Sequence, residues 1–248
     1  LKAARKSKNN FTLIDQTNHH LFQPLLYQVA TAVLSPSDIT VPIRNLFKND
    51  KNVNVVLDEV VDINQHNNSV ELVSGNIINY DILLISVGSS YSYFGNDDWS
   101  THSNGLKNLN DALDIRDNIL KAFENAESEK DNVKKLSYLN FVIIGGGPTG
   151  VELAGSIAEL AYKNIKNEYR NFNIEDINVH LIEAGSAILP DYSKILSSKA
   201  SKYLQKLGVN LKLNEKVLNI EKHKVTTEKE SYSTNNIIWA AGNKANPL

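Results

Sequence analysis

The sequence predicts an α/β chain built as two tandem nucleotide-binding-like units, and three observations carry that prediction. Residues 141–155, FVIIGGGPTGVELAG, run from an apolar strand through a glycine turn into a helix. Two strands, Phe11–Asp15 and Val179–Glu183, each end in an acid. The first half also resembles the second: Val53–Leu57, Glu59 and Val60-x-x-Ile63 match Val209–Leu213, Glu215 and Val217-x-x-Ile220, and Tyr80–Gly88 matches Asn236–Gly242. Self-similarity of this kind implies repeated architecture, and strands alternating with helices imply parallel sheets with helical layers.

Taken in chain order, Leu1–Lys8 reads as the basic end of a helix, broken at Asn9-Asn10 before the strand Phe11–Asp15. No glycine loop precedes that strand, and there is no methionine, so the expectation is a piece lacking an N-terminal strand and Gly loop, and cut at Pro247-Leu248 as well. After Asp15, residues 18–47 carry few helix signals and predict a wrapping loop, with Ser37 and Asp38 as caps and a short helix after Pro42. Val53–Leu84 predicts short strands with turns at Asn67-Asn68 and Ser74-Gly75, and Tyr80–Gly88 predicts a further strand. Leu109–Glu129 has helical apolar spacing with Asn110 as cap, and the charged stretch to Lys135 reads as a linker. Tyr192–Leu207 predicts an amphipathic helix stopped by Gly208. The boundary falls between units 1–107 and 108–245.

The glycine loop carries the chemistry. Strand, Gly145-x-Gly147-x-x-Gly150 and helix in that order form the dinucleotide fingerprint in its structural context. Gly145 permits the turn, Gly147 lets backbone approach a diphosphate, and Gly150 lets the helix pack on the sheet. The diphosphate then rests on free amides at the positive end of the helix dipole. Glu183 supplies the carboxylate for the adenosine ribose. Ala184, Gly185, Ser186 and Ala187 follow it, with no arginine to receive a 2′-phosphate, so NADH is favoured over NADPH. The acid lies further from the loop than usual, which predicts a longer helix or an insertion at 163–177.

Composition narrows the function. Net charge of −2 gives no polyanion footprint, so nucleic acid is disfavoured. No apolar run reaches the ~18 residues of a membrane span. Zero cysteines exclude, within these residues, a redox-active cysteine pair and cysteine-type zinc. The six histidines do not cluster at ligand spacing, so no metal site is expected; adjacent His19 and His20 point to opposite strand faces and read as packing or hydrogen-bonding residues.

HHLFQPLLYQVAT, GGGPTGVE, SYFGNDDW and IIWAAGNKANPL together resemble the type II NADH:quinone oxidoreductases, within the flavoproteins with two Rossmann-like, three-layer dinucleotide-binding domains. The resemblance covers essentially the whole chain. It implies an FAD domain in 1–107 and an NADH domain in 108–245, with the rest of the FAD domain and the membrane anchor lying in absent C-terminal segments. It further implies that Asp15 binds the FAD ribose and Val60 offers backbone to the adenine. Gln23 and Pro24 would lie beside the isoalloxazine, and Gly88 at the FAD diphosphate. Gly145, Gly147, Pro148, Thr149, Gly150 and Glu183 would bind NADH, and Gly242 would close over it. Glu152 is singled out for chemistry, in the first turn of the helix where nicotinamide should meet flavin; its alternative is a carboxylate that complements the helix dipole. The implied reaction passes hydride from NADH to FAD and electrons to a quinone, without proton pumping. The implied location is peripheral, on the cytoplasmic face of a bacterial membrane or the mitochondrial inner membrane, reached through the absent C-terminus, with this piece alone soluble and a homodimer among the assemblies allowed. Rival readings are a soluble NADH-flavin reductase with another acceptor and a nucleotide-binding redox sensor resembling apoptosis factors.

Overall fold

The structure, a computed structural model, describes residues 7–165 and 168–248. The helix expected at Leu1–Lys8 lies almost wholly outside the described residues. The chain divides into two compact units, one of residues 1–22, 37–90 and 245–248, the other of 23–36 and 91–244. This partition differs from a cut after residue 107. Leu26, Val29 and Ala30 of the short helix Leu26–Ala30 are buried, and that helix packs on two helices of the second unit, Leu109–Ser128 and Pro148–Glu159.

In the first unit, Phe11–Asp15 and Val53–Leu57 pair in parallel, with Asp15 opposite Leu57. His19–Leu21 pairs antiparallel with Thr40–Pro42, which puts half-buried His19 and exposed His20 on opposite faces, and His19 Nδ1 lies 3.1 Å from Asn18 Oδ1. Ser37 and Asp38 lie inside the short helix Pro36–Ile39 rather than capping one, because Pro36 already occupies its first position. Val60–Asn64, Ser69–Leu72 and Ile77–Asn79 form a three-stranded antiparallel layer whose turns place Asn68 at φ +49° and Gly75 at φ +81°. Tyr80–Gly88 is not a strand, contrary to its apolar pattern: Ile82 and Leu84 are 78% and 83% exposed. A strand exists only through its ladder, and no described strand pairs with residues 80–88.

The second unit carries a four-stranded parallel sheet in the order Val209–Lys212, Asn178–Ile182, Asn140–Ile144, Asn236–Trp239. Apart from Asn140, Asn178 and His180 its central strands are apolar, and Phe141, Val142, Ile143, Val179 and Leu181 are fully buried. A three-stranded antiparallel layer, Val217–Glu221, Lys224–Thr227 and Ser231–Ser233, follows. Val217, Ile220 and Val225 of this layer join Ile144, Ile182, Trp99 and Trp239 in one buried cluster. The repeat therefore holds for the parallel pair and the antiparallel layer, and fails at the next strand, which the second unit forms at Asn236–Trp239 and the first does not form at Tyr80–Gly88.

Helix Leu109–Ser128 is capped by Asn108, not Asn110. Asn108 Oδ1 accepts from Asp111 N at 3.0 Å while Asp111 Oδ2 accepts from Asn108 N at 3.0 Å, a reciprocal box that satisfies two donors the helix leaves unpaired. The expected linker instead holds helix Asn132–Tyr138, started by Asp131, whose Oδ1 accepts from Val133 N and Lys134 N. Helix Lys194–Lys206 is capped by Ser193 and followed by Gly208 at φ +96°. The long spacing to Glu183 comes from an insertion: after Pro148–Glu159 and one π turn, Leu160–Asn164, the chain docks on helix Leu109–Ser128. Phe172 stacks on Phe123 with centroids 6.4 Å apart, and the Glu127 carboxylate accepts from the amides of Arg170 and Asn171.

Candidate functional site

The site is built at the C-terminal ends of the parallel strands, where open α/β sheets receive ligands. Strand Asn140–Ile144 leaves the sheet pinned on both sides: Gly145 N donates to Ile182 O at 2.8 Å and Ala240 N to Ile144 O at 2.8 Å. Gly145 then turns with φ +112°, and a Cβ there would lie 2.8 Å from the Ala240–Ala241 peptide. At Gly150 a Cβ would run into the Gly145 carbonyl oxygen, so the first helical turn crosses the loop backbone at a separation only glycine allows.

Gly147 is different. It caps helix Pro148–Glu159 in extended geometry, and a Cβ built on it meets nothing within 4 Å. Pro148 occupies the first helical position, where no amide is needed. The first helical hydrogen bond runs from Val151 N to Gly147 O at 3.0 Å, so the amides of Thr149 and Gly150 precede it and have no partner within the helix. Glycine face, free amides and helix dipole converge on one region that suits a diphosphate.

Glu183 sits beside this loop. Its Oε2 accepts from Gly146 N at 2.7 Å and its Oε1 from Gly185 N at 2.6 Å, which fixes the carboxylate while each oxygen keeps a lone pair for another donor. The backbone behind it is held too, since Glu215 N donates to Glu183 O at 3.1 Å. The Glu215 side chain is buried and accepts from Thr227 Oγ1 at 2.7 Å and from the Tyr232 hydroxyl at 2.8 Å.

Glu152 falls at the fifth helical position, not in the first turn, because the helix begins at Pro148. It is exposed, yet the surrounding protein disfavours its charged form, and this desolvation raises its carboxyl above the ordinary value. Gly242 lies on the other side of the loop, with φ +71°, where a Cβ would strike Ser92 O and lie 2.9 Å from the Phe94 ring. Gln23 and Pro24 form an exposed turn leading into Leu26–Ala30, in the same unit as the glycine loop.

In the first unit, Asp15 ends its strand, and its Oδ1 accepts from the Thr17 amide and hydroxyl, both at 2.8 Å. Val60 opens the antiparallel layer opposite Leu72. Gly88 has φ +69° and clear space where a Cβ would stand. The structure thus brings Gly145, Gly147, Pro148, Thr149, Gly150, Glu183 and Gly242 together, and leaves Asp15, Val60 and Gly88 in the other unit. Among the described residues no group of His, Cys, Asp and Glu could hold a metal ion.

Sequence reasoning missed a cluster next to Gly242. The Tyr91 hydroxyl donates to the Asp111 carboxylate, which also accepts from Lys107 N at 2.8 Å, and Lys107 Nζ donates to Asn243 Oδ1 at 2.5 Å while lying 5.2 Å from the Tyr91 ring centre. Burial pushes the Tyr91 hydroxyl up and Lys107 down. The Asn108-x-x-Asp111 spacing was the available signal.

The pyridine nucleotide-disulphide oxidoreductase family profile matches residues 1–248. The type II NADH:quinone oxidoreductase NdhA of Mycobacterium tuberculosis is 38% identical over the whole of this chain and 54% of its own length, and the Staphylococcus aureus type II NADH:quinone oxidoreductase is 28% identical over the whole chain and 61% of its own. The structure of Plasmodium falciparum NDH2 in complex with NADH superposes with a TM-score of 0.88 at 27% identity, over 96% of this chain and 51% of that one. The chain spans about half the length of these relatives. Putidaredoxin reductase, at 19% identity and a TM-score of 0.71, shares the fold. On the full-length match to the profile, the chain belongs to the pyridine nucleotide-disulphide oxidoreductase family, and within it is similar to the type II NADH:quinone oxidoreductases.

Proposed function

We propose that the protein is an FAD-dependent NADH:quinone oxidoreductase and that residues 108–245 bind NADH. The observation that carries this is Gly147, whose bare Cα faces open space beside two unpartnered amides, with the fixed Glu183 carboxylate next to it. This arrangement fits a dinucleotide whose diphosphate lies on Thr149 and Gly150 N–H groups and whose adenosine ribose donates to Glu183. Asp15 fits the ribose of FAD in residues 1–107 in the same way, Val60 its adenine, and the open face of Gly88 a phosphate group. FAD held there would supply the hydride acceptor and the electron route to a quinone.

The chain's own residues position and exclude. Gln23 and Pro24 line the flavin side, and Gly242 closes the nicotinamide side. Glu152 stands one turn beyond the helix terminus, where dipole compensation has largely faded, so its raised carboxyl supports a role in setting charge at the meeting point of the rings. We propose a peripheral place at a membrane on the quinone acceptor in the names of the relatives; separately, no helix among the described residues is long and apolar enough to cross a membrane.

Gly147→Val tests the reading in the intact protein. The added side chain has room in the protein, so flavin content and melting temperature should hold while KM for NADH rises by about tenfold or more. Lost flavin with unchanged NADH affinity would assign the two nucleotides to the wrong units.

A further inference from the structure

We propose that Phe94 is a binding residue for the nicotinamide half of the dinucleotide, a role that rests on the NADH reading above. The order of the parallel strands supplies the direction. Glu183 ends the strand on one side of the glycine-loop strand Asn140–Ile144, and Ala240–Gly242 extends the strand on the other side. With the diphosphate on the central loop and the adenosine ribose on Glu183, the nicotinamide half runs out over Ala240–Gly242. Phe94 is the aromatic side chain on that path. Its ring lies where a Gly242 Cβ would stand, and Gly145 in turn abuts the Ala240–Ala241 peptide.

Phe94 is held there against its own preferences. Asn96 N donates to Tyr93 O at 3.1 Å, closing a turn in which Phe94 has φ +53° and Gly95 φ +90°. Turns with two left-handed central residues favour Asn, Asp or Gly at the first, and phenylalanine there is strained. Folding does not explain the choice, because the side chain is 69% exposed. The base beneath it is rigid. Phe94 sets its ring at 64° to Trp239, with centroids 6.1 Å apart, and Trp239 is stacked on Tyr93 and meets Trp99 edge-on. Trp239 Nε1 donates to Ser92 O at 3.1 Å, and Ser92 N to Gly242 O at 3.2 Å, so the turn and the Gly242 segment are tied together. An exposed, preorganised aromatic face beside the closing glycine is suited to a planar heterocycle.

The experiment compares Phe94→Asn, which suits the turn, and Phe94→Leu, which keeps apolar bulk without a ring, in the intact protein. NADH kinetics are measured beside inhibition by ADP-ribose, which retains the adenosine and diphosphate but lacks nicotinamide. The expected result is a KM for NADH raised by about tenfold in both variants, on the scale of one lost base-stacking contact, with ADP-ribose inhibition unchanged and no fall in melting temperature for Phe94→Asn. Equal weakening of both ligands would make Phe94 a mere loop support, and no weakening of NADH would remove it from the site; either result overturns the proposal. A wild-type protein that binds ADP-ribose but does not oxidise NADH would instead overturn the underlying reading.

Discussion

Gly147 and Gly150 stand three residues apart and would respond to a methyl group in opposite ways. At Gly150 the protein itself has no room, since the Gly145 carbonyl fills the space, whereas at Gly147 only a ligand would notice. The same distinction separates fold from function at Glu152. A carboxylate that merely complemented the helix dipole would belong in the first turn, and Glu152 lies beyond it. On the proposed role at the meeting of the rings, Glu152→Gln should lower kcat by about tenfold or more while leaving KM for NADH within about twofold. A change confined to melting temperature, with kcat intact, would return Glu152 to a structural role. Residues of the loop were legible in the sequence because each glycine answers a local demand of strand, turn and helix. Phe94 was not, because nothing in a phenylalanine announces a left-handed turn that packs against the distant Trp239 and Gly242.

Among the elements, the helix Leu109–Ser128 was readable from its apolar spacing with its start at Leu109, but its cap was misplaced by two residues. Asn108 and Asn110 both suit a cap, and only the reciprocal bond with Asp111 selects the first. Asn108→Ala should cost about 1 kcal/mol, seen as a melting temperature lower by roughly 2–4 °C. Asn110→Ala at the second helical position should move it far less, and equal effects would contradict the capping assignment. Tyr80–Gly88 failed for a different reason: the pattern fits a strand, but a strand is a property of the pair, and periodicity does not supply a partner. The insertion was expected from spacing alone, while its docking through Tyr169, Phe172 and Glu127 depends on surfaces far apart in sequence.

At the scale of the molecule, the parallel sheet of the second unit carries a partly buried imidazole. His180 lies on strand Asn178–Ile182 with its ring 5.0 Å from that of Tyr232. Burial, reinforced by the charge of Lys212 and opposed by Glu230 and Glu215, holds its imidazole down to about 4. The unfolded chain takes up this proton near pH 6.5 and the folded chain only near pH 4, so the stability tied to neutral His180 is complete above pH 6.5 and is lost as pH falls towards 4. His180→Phe should flatten the fall in melting temperature across that window, and a variant with the same slope as wild type would show that other groups govern it. The duplicated architecture explains how much could be read in advance, since each unit's parallel pair and antiparallel layer lie in short stretches of sequence. What could not be read was where the units divide, because helix Leu26–Ala30 joins the second unit through packing that no local pattern encodes. In the proposed function Glu183 selects the nucleotide. The direct test is the ratio of kcat/KM for NADH and NADPH in the intact protein with a quinone as acceptor. NADH should be favoured by about tenfold or more, equivalent to about 1.4 kcal/mol, because the fixed carboxylate would repel a 2′-phosphate and no arginine follows it. Equal kcat/KM for the two nucleotides, or no quinone reduction with either, would contradict it.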